Sequence, residues 1–205
     1  MNQSGLNTPQ VITENMIQAG VTKSKTPLGK MILLGIFAGM FIACGASASS
    51  VAMHAMTIVG LQRLVGGCIF PIGLMMIVLV GGELFTGDCL MVMGCVHEKY
   101  RASDVVRVLI IVYFSNFIGS VLIAFMVYMS GQLGFTNGLL GAFTIKIAMG
   151  KVSLDFGTAF ISGILCNIFV CVAVLMAGAA KDAAGKTFAC FFQSWHLLCV
   201  DMNIV

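Results

Sequence analysis

The chemically loaded part of the chain is Gly81-Gly-Glu-Leu-Phe-Thr-Gly-Asp88, which sets two carboxylates and a hydroxyl among glycines. From Leu64 to Val96 there is no Lys, Arg or His, so Glu83 and Asp88 are the only charges in that run. Ionisable groups in such surroundings face a partner or a water-filled path rather than lipid. Lys146 and Lys151 close a Gly-rich connection further on, and Asn167 stands with small hydroxyls in the apolar run that follows. No nucleophile with an adjacent base and no metal triad occurs, which argues against an enzyme. The eight cysteines (Cys44, Cys68, Cys89, Cys95, Cys166, Cys171, Cys190 and Cys199) form no Cys-x-x-Cys pair. Buried, inert thiols are expected rather than a zinc site or a disulfide framework.

The elements that position these groups follow from composition. Of 205 residues, 59% are hydrophobic and 9% charged, against about 25% charged in a soluble domain. A water-soluble fold is excluded, and an all-α membrane bundle of four to six spans is indicated at roughly 20 residues per span. The apolar runs do not alternate and continue far past ten residues, unlike the strands of a membrane β-barrel. Spans are expected at about Leu28 to Met53, with Gly35-x-x-x-Gly39 for close helix packing, at Val105 to Gly131 and at Phe156 to Ala180. Residues 1–27 form a polar arm in which Val11, Ile12, Met16 and Ile17 recur at helical spacing.

The run from Leu64 to Val96 has an awkward length. As one helix it would reach about 50 Å, well beyond the ~30 Å hydrocarbon core. A single span broken inside the membrane at Gly81 to Asp88 resolves this, because non-helical backbone at that depth is tolerated where it lines a path through the protein. Lys23, Lys25, Lys30, Lys99, Arg101, Arg107, Lys181 and Lys186 fall on one side of this topology, and Arg63, Lys146 and Lys151 on the other. That bias puts the N-terminus in the cytoplasm.

Taken on their own, several of these residues have plain readings. Lys151 reads as an exposed loop charge, Asn167 as an interhelical hydrogen bond, and Phe70, Leu74 and Phe85 as core packing. Glu83 reads as a partner for backbone N–H groups freed at the break, with Gly87 beside it, and Asp88 as a cap for the short helix that follows. His54 and His97 lie at span ends and read as solvated.

Gly82-Glu-Leu-Phe-Thr-Gly-Asp88, Lys151 followed sixteen residues later by Asn167, and Ser162-Gly-Ile-Leu-Cys-Asn-Ile-Phe-Val-Cys171 together resemble the formate/nitrite transporter family of anion channels. The resemblance runs from about Pro9 to Phe192. It implies an aquaporin-like bundle of six spans in two inverted repeats, a pore in each protomer of a homopentamer, and an inner (plasma) membrane location. By the same resemblance Leu74 and Phe85, with Phe70 nearby, contribute apolar constrictions and Thr86 offers a hydroxyl between them. Lys151 attracts the anion, and Asn167 links it by hydrogen bonding to a central histidine. The substrates implied are small organic or inorganic monovalent anions of weak acids: formate, nitrite or hydrosulfide. No cofactor, metal or nucleic acid is expected; the lipid bilayer is the other partner.

After Phe192 the family pattern gives way to Gln193-Ser-Trp-His-Leu-Leu-Cys-Val-Asp-Met-Asn-Ile-Val205. Regrouping its codons by one nucleotide permits Pro-Ile-Met-Ala-Phe-Val-Val-Cys-Gly-Tyr-Glu-His, which is similar to the family motif bearing the central histidine. The expectation is a channel domain over 28–192, incomplete with four spans and a partial fifth, and an out-of-frame tail over 193–205. Trp195 and His196 then carry no role, and impaired folding and conduction follow. Two other functions remain open. An aquaporin-like pore for neutral solutes has Lys151 against it. A Cu(I) transporter is suggested by 15 methionines and Met53-His-Ala-Met56, yet scattered methionines pack like leucine.

Overall fold

The computed structural model describes the backbone of residues 5–199 and the side chains of residues 5–192. The arm is helix α1 (Pro9–Ser24), started by Thr8, whose hydroxyl accepts from Val11 N, and by Pro9 in the first turn. Pro27 separates it from α2 (Leu28–Met53), the first span. The second span runs from Val59 to Val80 as α3 (Val59–Ile69) and α4 (Ile72–Val80), interrupted at the buried Pro71. It begins five residues before the expected Leu64 and includes Arg63. After the break come α5 (Phe85–Asp88), a tight turn over Cys89–Met91 and α6 (Val92–Val96).

The third span, α7 (Ala102–Met129), starts where Arg101 N donates to Asp104 Oδ2 at 3.1 Å. The fourth, α9 (Phe156–Ala179), is capped by Asp155, which accepts from Thr158 N at 3.0 Å. The Thr158 hydrogen bonds hold the Asp155 carboxyl below the usual carboxylate range. Among the described residues four helical stretches are long and apolar enough to cross a membrane. α10 (Ala183–Cys199) follows and passes without interruption through the expected reading-frame junction at Phe192. The side chains of Trp195 and His196, and all of residues 200–205, lie outside what is described.

One connection differs from expectation. The Gly-rich stretch ending in Lys146 and Lys151 is mostly helix, α8 (Leu139–Val152). Leu, Ala, Met and Lys there are good helix formers, and the glycine requirement falls ahead of the helix, at Gly131 with φ 75° and at Gly138 with φ 86°.

α2 and α7 form the closest pair. A Cβ on Gly39 would stand 2.1 Å from Asn116 O, and one on Gly119 would stand 2.0 Å from Ile36 O. The backbones therefore touch, as small-residue packing in lipid allows. Arg107 Nη2 donates to Thr26 O at 3.3 Å, and Asn7 N to Ala179 O at 2.8 Å. These contacts gather the starts of α2 and α7 and the end of α9 on one side, together with the basic residues around them. At the other end His54 is engaged rather than simply solvated: its ring meets Val51 O at 2.6 Å and Thr136 Oγ1 at 2.8 Å.

Replacing Gly119 by Ala forces the α2 and α7 backbones apart, because the atom it meets is a carbonyl oxygen that cannot swing away. The expected loss is about 1–3 kcal/mol of stability, read as a lowered melting temperature in detergent. Gly29→Ala, which meets open space, should leave the melt unchanged.

Candidate functional site

The site is built around the break in the second span. α4 ends at Gly81, whose φ of 100° is a conformation that residues with a side chain rarely adopt. The chain then runs without helical hydrogen bonds to Phe85, and its exposed backbone groups need partners at membrane depth. Asn116 on α7 supplies them. Its Nδ2 donates to Glu83 O and to Gly35 O, both at 2.8 Å, while its Oδ1 accepts from Phe85 N at 2.9 Å. Glu83 N adds a bond to Leu34 O at 3.3 Å. Glu83 was expected to do this with its own side chain; instead that carboxylate turns to Lys23.

Lys23 of α1 pairs with both acids. Its Nζ lies 2.6 Å from Glu83 Oε2 and also contacts Asp88 Oδ1. Asp88 is fully buried and its side chain caps no helix, contrary to expectation, because burial makes a cation a far better partner than an exposed backbone N–H. Burial alone would lower the Lys23 pKa, but Asp88 and Glu83 outweigh it and raise the ammonium above its ordinary 10.5. Lys23 therefore stays protonated throughout the neutral range, and its charge is lost as pH climbs through that raised value. The arm is held at a second point by Tyr100, whose hydroxyl donates to Met91 O at 2.6 Å and whose ring occupies the space left by Gly20 and Gly94.

A cavity of about 260 Å³ lies under α1, against the break. Lys23, Leu74, Gly82, Leu84, Gly87 and Lys186 are among its lining residues. Leu74 is also packed against Ala173, Ala177 and Cys190, so it is at once core and wall. Phe85 points elsewhere: its ring meets Tyr113 edge-on at 5.6 Å and packs on the cluster of Met31, Met91, Val108 and Val112. Phe70 sits at the bend between α3 and α4, outside the cavity lining.

On the α9 side of the break a second polar group forms. Asn167 Nδ2 donates to Cys89 Sγ at 3.1 Å, and Asn167 Oδ1 accepts from Cys171 Sγ at 3.0 Å. Cys171 Sγ also reaches Thr86 O at 3.1 Å. The Thr86 hydroxyl is buried and has no hydrogen-bond partner among the described residues. Asn167 thus directs its carboxamide to two thiols rather than to Lys151. Lys151 lies on α8, where burial lowers its pKa to about 8, partly offset by Cys166. The thiols differ from the uniform expectation as well, since Cys44 and Cys68 are exposed.

Comparison with known proteins is decisive at this point, for the sequence profile described as Formate/nitrite transporter matches residues 10–203. The chain belongs to the formate/nitrite transporter family. It is similar to an uncharacterized transporter, YrhG, of Bacillus subtilis (34% identity, 96% of this chain and 75% of the relative). A probable formate transporter of Methanothermobacter thermautotrophicus is 36% identical over 88% of this chain and 73% of its own length. Among solved structures, a pentameric formate channel with formate bound superposes with a TM-score of 0.74 at 30% identity, covering 84% of this chain and 69% of that one. The protein is accordingly a multi-pass membrane transporter of this family and not an enzyme, and its bundle has the family's fold.

Two residues central to the site were missed from sequence. Asn116 is the one carboxamide in an otherwise apolar span, a sign that it must find polar partners. Lys23 was counted only as an arm charge, although two buried carboxylates required a cation. Replacing Lys23 by Met leaves both acids unpaired. A loss of about 3 kcal/mol is expected, at the low end for a broken buried pair because the Lys23 side chain is 25% exposed. Chemical denaturation measures it, and adding Asp88→Asn should recover part of the loss.

Proposed function

We infer that the chain provides a conduction path for small monovalent anions of weak acids, with formate the first candidate and nitrite and hydrosulfide in the same class. The observation that carries this reading is the break at Gly81–Leu84, held by Asn116 and flanked by a cavity, with the unpartnered Thr86 hydroxyl beside it. A neutral donor can orient a small anion or its acid without trapping it as a fixed charge does. Passing an unscreened charge through an apolar neck costs many kcal/mol, so protonation of the substrate lowers the barrier. In this reading Leu74 narrows the path, and Phe85 supports the wall from behind, with Phe70 at the bend.

Lys151 gathers anions at the mouth formed by α8. The assembly is a homopentamer with one path per protomer, by analogy with the pentameric formate channel. The basic side bearing α1 faces the cytoplasm, as the distribution of Lys and Arg favours, and the membrane is the inner (plasma) membrane.

Purified protein in liposomes tests the substrate. Formate uptake above that of protein-free vesicles is expected; uptake of glycerol or water with none of formate would overturn the reading in favour of a neutral-solute pore. Lys151 gives a pH signature. Its charge is present at neutral pH and is lost as pH rises through about 8, whereas arginine stays protonated. The ratio of wild-type to Lys151→Arg uptake should therefore fall across that window on the side Lys151 faces, and Lys151→Met should lower uptake at limiting formate about tenfold at neutral pH.

A further inference from the structure

The anion reading does not use the two thiols at the break. We propose that Cys89 and Cys171 form a two-sulfur site for a soft, two-coordinate monovalent cation of the Cu(I) and Ag(I) class. The two residues are far apart in sequence but converge on one side chain: Asn167 donates to Cys89 Sγ at 3.1 Å and accepts from Cys171 Sγ at 3.0 Å. Each sulfur contacts one end of the same carboxamide, so both thiols reach a single point in the fold. Both thiols are only half-buried, so the site is open to a small cation.

The donor set selects the ligand. Thiolates favour soft d10 ions, and two of them complete the linear coordination such ions accept. A structural zinc site takes four ligands, and among the described residues no group of three or more His, Cys, Asp or Glu side chains is placed to hold a metal. Binding replaces two S–H bonds by two sulfur–metal bonds and releases two protons to water. The metal keeps its oxidation state, so no oxidant is required. On losing its proton Cys171 gives up its hydrogen bonds to Asn167 Oδ1 and to Thr86 O at 3.1 Å, while Cys89 Sγ still accepts from Asn167 Nδ2. One monovalent cation held by two thiolates carries a net negative charge. Placed next to Thr86, that charge repels an entering anion and closes the path.

The site itself does not depend on the anion reading; only its effect on flux does. One equivalent of Ag⁺ is added to the intact chain in detergent, followed by iodoacetamide and residue-by-residue mass spectrometry. Loss of alkylation at Cys89 and Cys171 together is expected, with the exposed Cys44 and Cys68 still modified. Cys171→Ser should return Cys89 to its silver-free reactivity, and Cys89→Ser should do the same for Cys171, so either variant suffices if the other fails to fold. Preferential protection of Cys44 or Cys68, or undiminished protection of the remaining thiol in the single variants, overturns the proposal. In liposomes Ag⁺ should stop formate uptake by the wild type and leave the Cys44→Ser, Cys68→Ser variant equally sensitive. If no uptake is seen even without silver, the anion reading fails while the labelling result stands on its own.

Discussion

Everything in this chain turns on the backbone at Gly81–Leu84. Interrupting a helix at membrane depth leaves N–H and C=O groups that water cannot reach, each costing of the order of a kcal/mol or more if unpaired. One carboxamide, Asn116, answers two of them at once, accepting from Phe85 N and donating to Glu83 O, and also donates to Gly35 O of α2. That arrangement demands that α7 lie almost in contact with α2. The glycines at 35, 39 and 119 permit the approach, so the tight helix pair and the open break are two consequences of the same requirement.

A second constraint is electrostatic. Two carboxylates near the break cannot stay ionised in an apolar bundle without a cation, and Lys23 is the lysine that pairs with both. The cation comes from the arm, which is why α1 packs onto α6 and α9 rather than standing off in solvent. The cavity is a product of this docking, because α1 closes over the end of α4 and leaves space between them. Charge pairing thereby couples the arm to the break in the second span. Tyr100, wedged between Gly20 and Gly94, gives the same contact a steric component.

The polar group on the α9 side obeys the same rule with weaker partners. Sulfur is a modest donor and acceptor, yet it satisfies Asn167, while the buried hydroxyl of Thr86 has no hydrogen-bond partner among the described residues. Lys151, half-buried on α8, feels the Cys166 thiol of α9 electrostatically.

Much was legible in the sequence. Hydropathy over twenty-residue windows reports on transfer into lipid, a property of local composition, so the membrane class, the four spans and the position of the break could be read directly. The Gly35 and Gly39 packing face was equally local. Helix α8 was misjudged because its glycines suggested a loop, although the glycines with a left-handed backbone, Gly131 and Gly138, both lie ahead of the helix. Partnerships were decided by the tertiary structure alone. Lys23 meets Asp88 across 65 positions, Asn116 meets Gly35 across 81, and Asn167 meets Cys89 across 78. No pattern along the chain encodes which side chain ends opposite another, because that depends on the crossing of helices whose contact is set by backbone shape. The sequence by itself determined that charges and a break lie within the membrane; only the folded bundle decided what neutralises them.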